Sequence, residues 1–186
     1  MRLSNQAELP FTVDDPVAIR TEWTPLVPGG SNFVTHRLVA LSPSLLAIHK
    51  SIWLRIFGMW FVILGSIVST IGLTTRNWPV ALFGLPFVIA GAVILRPKRL
   101  MFDSVKRLFA GEKLISFSAI HALQLLRERL SSNEGGPDFD SYELNVVLVT
   151  GERINLLDHA GGALVKEDAR RLGAFIGCKV WDATAL

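Results

Sequence analysis

The residues that could do chemistry are four histidines and the acidic residues near them. Asp158 and His159 stand together at the end of "RINLLDH", where they could form an acid–base pair or bind a metal ion. Neighbours on a β-strand point to opposite faces, so both reach one ion only if the following "AGG" turns sharply. No further cluster at metal-ligand spacing accompanies them. The pattern favours His159 as a strand-end cap over a metal or catalytic residue.

The remaining candidates are scattered along the chain. His36, His49 and His121 fall in separate predicted strands, so only the fold could bring them into a three-histidine site. The serines lack a G-x-S-x-G context, and the paired glycines lack the Lys-Ser or Lys-Thr of a phosphate-binding loop. Cys178 is the only cysteine, which excludes a disulfide framework or a thiolate zinc cluster. We therefore expect no enzyme activity, no catalytic residue, no metal and no cofactor.

The composition indicates a membrane protein. Half of the 186 residues are hydrophobic, and the mean hydropathy of +0.40 is high for a soluble chain. A net charge of +3 is too small and too scattered to predict nucleic acid as a partner, but it suits a surface beside anionic phospholipid. The first thirty residues are polar and contain no apolar core, so they do not resemble a signal peptide.

Two long apolar segments account for the hydropathy. "WLRIFGMWFVILGSIVSTIGL" covers residues 53–73 and "WPVALFGLPFVIAGAVIL" covers residues 78–95, with four residues between them. Each is close to the roughly 20 residues that a helix needs to cross the hydrocarbon core. A pair of buried helices in a soluble protein would carry polar residues on an outer face, and these segments carry almost none. The sequence predicts a transmembrane helical hairpin.

The basic residues predict its orientation. They lie before the first helix (Lys50, Arg55) and after the second (Arg96, Lys98, Arg99), whereas the connecting loop has only Arg76. The positive-inside rule then places both termini in the cytoplasm. The expected location is the bacterial cytoplasmic (inner) membrane, crossed twice.

Glycines mark the packing face of the predicted helices. Gly58, Gly65 and Gly72 recur every seven residues in the first helix, and Gly84 and Gly91 repeat the spacing in the second. Because no hydrophobic effect drives helices together in lipid, small residues that permit close approach define the contact. The stripe favours packing of the two helices on each other, and the alternative is a dimer or a partner's transmembrane helix.

The rest of the chain alternates like β-strands. Two short strands precede the hairpin, with Val34, Leu38 and Leu45 as inward positions, and about five follow it. In "YELNVVLVTGERINLLDH", Leu144 and Val146 share one face while Glu143 and Asn145 share the other, so one face is expected to meet solvent. "ISFSAIHALQLLRERL" is ambiguous between helix and strand, and we predict a strand at least through Leu125.

The segment "ALVKEDARRLGAFIG" predicts an amphipathic helix that ends at Gly177 and covers the apolar face of the sheet. Its apolar stripe comprises Leu164, Ala169, Leu172, Phe175 and Ile176. Both ends of the hairpin return to one side, so the early strands can join the later ones in a single sheet. The predicted fold class is an α+β membrane protein: a transmembrane hairpin plus a cytoplasmic antiparallel sheet closed by a C-terminal helix.

The predicted organisation has four parts. Residues 1–31 form an extended N-terminal segment, in which Trp23 and Leu26 could dock on the domain's own sheet or on a partner. Residues 32–52 supply two strands, residues 53–95 the hairpin, and residues 96–186 the remainder of the β domain.

This arrangement resembles the bacterial PH-like membrane proteins over roughly residues 32–182. The residues that carry the resemblance are "RLMFD", "AIHALQLL" and "YELNVVLVTGERINLLDH" followed by "DARRLGAFIG". The resemblance implies a PH-like β domain acting as a binding or assembly module more often than as an enzyme. It does not imply phosphoinositide binding, because fold alone does not fix function.

Five basic residues form the candidate contact with lipid or a partner: Arg96, Lys98, Arg99, Lys106 and Arg107. One interpretation is that they are topology determinants and solvated charge. The other is contact with anionic headgroups or with an acidic patch on a protein partner.

The leading functional hypothesis is a non-enzymatic, membrane-anchored interaction or assembly module that presents its β domain to a protein partner. The alternatives are an immunity-type inhibitory membrane protein and a homo-oligomer that senses anionic lipid. An enzyme that uses the histidines is a third class.

Overall fold

A computed structural model of the chain describes residues 15–97, 100–131 and 137–185. It divides into two compact units, one formed by Met1–His49 with Arg99–Leu186 and the other by Lys50–Lys98. The second unit interrupts the first along the chain, and its limits lie close to those of the predicted hairpin. Of the basic residues singled out above, Lys98 and Arg99 lie outside the described residues.

The interrupting unit is a helical hairpin of α2 (Ile52–Thr74) and α3 (Trp78–Leu95). Ser51 caps the start of α2 by accepting a hydrogen bond from the Leu54 backbone N–H at 3.2 Å. Asn77 caps α3 by accepting from the Val80 N–H at 3.4 Å, and Pro79 in the first turn costs α3 no backbone hydrogen bond. The two predicted long helices are confirmed.

The five glycines singled out from the sequence lie in the contact between α2 and α3. A Cβ atom added to Gly65 would lie 2.7 Å from the Gly84 carbonyl oxygen, and one added to Gly91 would lie 2.6 Å from the Gly58 carbonyl oxygen. Gly72 meets the backbone of Ala81 in the same way. The stripe is therefore used within the hairpin, as the first interpretation of it requires, because each glycine lets the opposite backbone approach closely.

The outward surface of the hairpin is apolar. Several of its large side chains are exposed: Trp53 (73 %), Trp78 (65 %), Phe83 (64 %) and Leu82 (61 %). Both helices are long and apolar enough to cross a membrane, and most of each is exposed within the structure.

The β unit contains two sheets and not the single sheet predicted. Sheet A has the order β1-β2-β3-β4-β5, with β1 His36–Ser42, β2 Leu45–Lys50, β3 Leu100–Asp103, β4 Leu108–Ala110 and β5 Leu114–Ser116. Sheet B has the order β8-β7-β6-β9, with β6 Ile120–Leu130, β7 Phe139–Leu148, β8 Arg153–His159 and β9 Lys179–Asp182. The early strands join later ones as predicted, since β2 pairs with β3. Sheet B is mixed and not purely antiparallel, because β9 runs parallel to β6.

A 3₁₀ turn at Phe117–Ala119 separates the two sheets. Ser116 accepts the Ser118 N–H at 3.3 Å, and the turn redirects the chain between β5 and β6. The ambiguous segment then forms β6, which pairs with β7 from Ile120 to Leu130. The prediction of a strand at least through Leu125 is confirmed, and the strand continues to Leu130 because pairing with β7 overrides the helix propensity of its C-terminal half.

One hydrophobic core joins both sheets, and α4 (Gly162–Ile176) packs against it. Leu172, Ile176 and Ala169 lie on its buried stripe, whereas Val165 and not Leu164 completes the stripe at the N-terminal end. The helix ends at Gly177 as predicted, with φ 83°, the left-handed geometry that glycine adopts without strain. In sheet A the stacked rings of Phe102 and Phe109, with centroids 4.6 Å apart, fill the centre.

Two predicted strand faces need correction. Of the expected inward positions of the first two strands, Leu38 is buried but Leu45 is only half-buried, and Leu46 and Ile48 supply the core. In β8 a bulge opposite Leu144 and Asn145 places both Leu156 and Leu157 in the core. A bulge adds one residue to a strand and shifts the alternation beyond it, which periodicity alone does not reveal.

The glycine contact gives a stability prediction. Gly65→Leu would force a side chain against the backbone of α3, and overpacking of this kind costs about 1–3 kcal/mol or more. Thermal unfolding of the purified protein in detergent should show a clear drop in midpoint. Ser66→Leu is the matched control, because Ser66 is the exposed neighbour in the same helix and should tolerate leucine. Equal midpoints for the two variants would contradict the observed packing.

Candidate functional site: the strapped face of sheet B

Residues 15–31 lie across the outer face of sheet B, and we call this segment the strap. The sequence left open whether it docks on its own domain or on a partner, and in the structure it docks on its own sheet. The outer face, here the strapped face, comprises Ala122, Gln124, Ser141, Glu143, Asn145, Val147, Arg153 and Trp181.

The strap begins with a short helix, α1 (Pro16–Arg20), capped by Asp15. Asp15 Oδ1 accepts the N–H groups of Val17 at 3.0 Å and Ala18 at 3.3 Å, and Oδ2 lies 2.9 Å from His121 Nε2. Burial alone would raise the pKa of the Asp15 carboxyl. The hydrogen bond with His121 and those from the backbone outweigh it and hold this pKa below its usual value. Asp15 therefore joins the strap to β6 as a carboxylate.

The apolar half of the strapped face anchors α1 and Trp23. Val17 and Ala18 pack with Ala122, Val147 and Trp181 in a second small core on this side of the sheet. The rings of Trp23 and Trp181 are 5.5 Å apart, and Trp23 Nε1 donates to the Ala18 carbonyl at 3.1 Å. The indole thus stays bonded while its apolar surface is covered.

The polar half binds the backbone of the strap through Glu143. This carboxylate is 3 % exposed and accepts the N–H groups of Leu26 and Val27, both at 2.8 Å. Asn145 Nδ2 donates to the same carboxylate. A buried carboxylate is costly unless several donors surround it, and here three do.

Arg153 and Gln124 hold the preceding part of the strap. Arg153 Nη1 donates to the Thr24 carbonyl at 2.6 Å, and Nη2 reaches Glu22 Oε2 at 3.1 Å. Gln124, which is fully buried, donates from Nε2 to the Glu22 carbonyl at 2.9 Å. Further along, Ser141 Oγ accepts the Ser31 N–H at 3.1 Å.

These contacts share one chemical property: the sheet supplies side chains and the strap supplies mainly main-chain groups. Carbonyls of the strap are bound by Gln124 and Arg153, and its N–H groups by Glu143 and Ser141. Main-chain groups are the same for every residue except proline, so these contacts depend mainly on the bent path of the strap backbone and little on its side chains. The aromatic contact of Trp23 is the exception.

Sequence reasoning missed this site. Glu143 and Asn145 were expected on a solvent-facing surface, yet they are 3 % and 0 % exposed. The available signal was the uncharged amides of Gln124 and Asn145 in mid-strand, together with Trp23 in an otherwise polar segment. Strand alternation separates two faces but does not say that both are covered.

The histidines do not converge on a metal or catalytic site. His159 is fully buried, and its Nδ1 accepts the Gly161 N–H at 3.0 Å, which makes it the strand-end cap favoured by the sequence. Asp158 instead accepts from the Thr35 and Ser141 hydroxyls. Among the described residues no group of three or more His, Cys, Asp or Glu side chains could hold a metal ion.

Two of the other three histidines are hydrogen-bonded. His36 Nδ1 lies 3.0 Å from the Thr35 hydroxyl, His121 bonds Asp15, and His49 is exposed. Burial raises the pKa of the Cys178 thiol to about 11, so the thiol is protonated and unreactive at neutral pH.

Three of the five candidate basic residues lie in the part of the chain that the structure describes. Arg96 follows α3, whereas Lys106 and Arg107 lie in the β3–β4 turn. The register pairs Asp103 with Leu108, so this turn follows the C-terminal end of β3, and Leu100 lies at the other end of that strand. Lys106 is well exposed and 4.0 Å from Asp103, and the Arg107 guanidinium stacks over Phe117 at 5.5 Å. Arg107 is therefore partly used for packing.

No family model matches the chain, and no curated protein and no solved structure matches it. Function must be inferred from the residues and their geometry, and the PH-like resemblance stays a prediction.

The Glu143 contacts can be tested by one substitution. Glu143→Gln replaces a carboxylate oxygen with an NH₂ group that faces a backbone N–H, and an unsatisfied buried group costs about 1–3 kcal/mol. Hydrogen exchange measured by mass spectrometry over residues 22–31 should accelerate by roughly 10-fold to 100-fold. Glu152→Gln, at an exposed turn position, is the control and should leave this exchange unchanged. Unchanged exchange in Glu143→Gln would contradict the observed docking.

Buried His159 predicts a pH dependence of stability. Desolvation lowers its pKa from 6.5 to about 4, with Arg37 adding to the effect and the His36 backbone opposing it. Between pH 4 and pH 6.5 the His159 imidazole is protonated in the unfolded chain and neutral in the folded chain. The stabilisation is therefore complete above pH 6.5 and is lost as the pH falls towards 4, by about 3 kcal/mol.

The measurement is the unfolding midpoint in detergent at pH 7.5 and 4.5 for the wild type and for His159→Asn. The asparagine can accept the Gly161 N–H but does not titrate, so the variant should lose less stability on acidification. An equal loss in both proteins would show that other groups cause it.

Proposed function

We propose that the protein is a non-enzymatic, membrane-anchored interaction module. In this proposal α2 and α3 span the bacterial cytoplasmic membrane and the β unit lies in the cytoplasm with both termini. Support comes from the apolar outward surface of the hairpin and from Trp53 and Trp78, which are exposed near the N-terminal ends of the two helices where interfacial rings prefer to lie. The loop between the helices carries Arg76 alone, against the larger number of basic residues at the other ends.

The interaction surface in this proposal is the strapped face of sheet B. The observation that carries it is the pair of 2.8 Å hydrogen bonds from the Leu26 and Val27 N–H groups to the buried Glu143 carboxylate. Buried polar side chains that bind main-chain groups could hold another segment that follows the same bent path as the strap. Such backbone recognition with a few side-chain pockets is a recurrent mode of peptide binding.

The partner is a protein that offers a segment of similar bent path with one aromatic side chain, and the strap occupies the surface until that segment replaces it. Trp23 and its contact with Trp181 define the aromatic position. The PH-like character of the domain is part of the same proposal, as is the absence of enzyme activity. The partner is not a nucleic acid, because the strapped face is held by a carboxylate and amides and not by a basic groove.

The test is photo-crosslinking in native membranes. Benzoylphenylalanine replaces Val149, which is 47 % exposed beside the strap where its carbonyl accepts from Arg20. A probe at Glu167, on the exposed side of α4, is the matched control. We expect a protein adduct of defined mass from position 149 and none from position 167.

Two further variants test whether the adduct forms at the surface that the strap occupies. Trp23→Ala should raise the adduct yield, because it loosens the strap and leaves the sheet intact. Glu143→Gln should raise the yield less than Trp23→Ala does, because it loosens the strap but also removes a carboxylate that would bind the partner. No adduct from position 149 would contradict the proposal. Adducts to a second copy alone would favour the lipid-sensing homo-oligomer, and adducts to a membrane-active toxin would favour the inhibitory protein.

A further inference from the structure

The bent path of the strap includes two consecutive glycines, Gly29 and Gly30. Gly29 has φ 97° and Gly30 has φ 22°, both in the left-handed region that residues with side chains rarely adopt. A Cβ atom added to Gly29 would meet nothing within 4 Å, so at this position the requirement is conformational. A segment that follows the same path needs a residue here that adopts positive φ without strain.

Gly30 is required for a second reason, which is its contact with sheet B. A Cβ atom added to it would lie 2.3 Å from Cβ and 2.3 Å from Oγ of Ser141, and 3.2 Å from Cδ1 of Leu130. The first two distances lie far inside van der Waals contact. Ser141 belongs to β7 and Leu130 to β6, so the sheet itself leaves no room for a side chain at this point of the strap.

Ser141 is held in place and does not yield to such a side chain. It is 1 % exposed, and its backbone is paired with Glu128 in the β6–β7 ladder. Its hydroxyl donates to Asp158 Oδ1 and accepts the Ser31 N–H at 3.1 Å. Rotation of the hydroxyl would break both bonds and would still leave the Cβ atom in the way.

The main-chain contacts beside the glycine pair fix the register of the strap. Glu143 binds the N–H groups of Leu26 and Val27, and the Gly29 N–H donates to Glu128 Oε2 at 3.1 Å. Proline has no N–H and is excluded from these three positions. The side chains of Leu26 and Val27 are 40 % and 49 % exposed, so the face does not select the residue type at either position.

We propose that the strapped face selects its partner by two consecutive glycines that follow an aromatic residue at the spacing of Trp23 and Gly29. The proposal rests on the function proposed above, because it describes the segment that replaces the strap. A segment on the same path meets Ser141 at the same point, and a side chain there would force the main chain away from its hydrogen bonds on both sides. Ser141 is therefore the specificity-determining residue, and the partner carries an aromatic residue, five residues of open choice apart from proline, and the glycine pair.

A labelled peptide tests this selection on the full-length protein in detergent. The probe is a fluorescein-labelled synthetic peptide with the sequence of residues 15–35, and the receptor carries Trp23→Ala and Gly30→Ala, which weaken its own strap and leave sheet B unchanged. The peptide variants are Gly30→Ala and, as the matched control, Thr24→Ala, because the Thr24 side chain is exposed. Slow hydrogen exchange in β6 and β7 verifies that the receptor is folded, and Trp23→Ala alone is the receptor if the double variant is not.

We expect the Gly30→Ala peptide to bind roughly 10-fold more weakly than the wild-type peptide, or weaker still, because of the clash with Ser141. The Thr24→Ala peptide should bind as well as the wild type. Ser141→Gly in the receptor removes both clashing atoms. The ratio of the affinities for the glycine and alanine peptides should therefore fall in that receptor, which a general loss of binding would not cause.

Two results would overturn the glycine requirement and leave the proposed function standing: equal affinities for the wild-type and Gly30→Ala peptides, or an affinity ratio that Ser141→Gly does not change. Absence of binding by all three peptides to the folded receptor would show that the strapped face accepts no segment from outside the chain. That result would overturn the proposed function together with this inference.

Discussion

The pairing of β2 with β3 is the constraint on which the rest of the molecule depends. These strands flank the helical hairpin in sequence and are hydrogen-bonded neighbours in sheet A, with Ile48 opposite Leu100. Adjacent strands lie about 5 Å apart, so the inserted segment must return close to where it left. An antiparallel helix pair with a three-residue turn, residues 75–77, does this, and the glycine contacts bring α2 and α3 close together.

A second constraint acts on sheet B, whose two faces are both covered. The inner face packs in the common core beneath α4, and the outer face carries polar side chains that would be costly if buried alone. The strap removes that cost by offering main-chain donors and acceptors, and Trp23 adds apolar contact with Trp181.

The sequence predicted the features that depend on local pattern. The long apolar helices and the amphipathic α4 ending at Gly177 follow from hydropathy, periodicity and glycine geometry. The division into two sheets depends on a 3₁₀ turn of three residues, and the β8 bulge depends on one added residue. Neither feature produces a periodic pattern in the sequence. The strap contacts could not be predicted for a different reason. Glu143 and Leu26 are 117 residues apart in the sequence, and strand alternation does not indicate which distant segment covers a face.

The central claim is that the hairpin crosses a membrane and returns both of its ends to the same side. It is tested most directly by labelling single cysteines, Arg76→Cys and Glu167→Cys, each in a Cys178→Ser background, with a membrane-impermeant maleimide on intact spheroplasts. Both positions are exposed in the structure, so only the membrane should separate them. The account predicts labelling at position 76 in intact spheroplasts and at position 167 only after permeabilisation. Labelling of both positions, or of neither, before permeabilisation would contradict a hairpin that spans the membrane with its β unit in the cytoplasm.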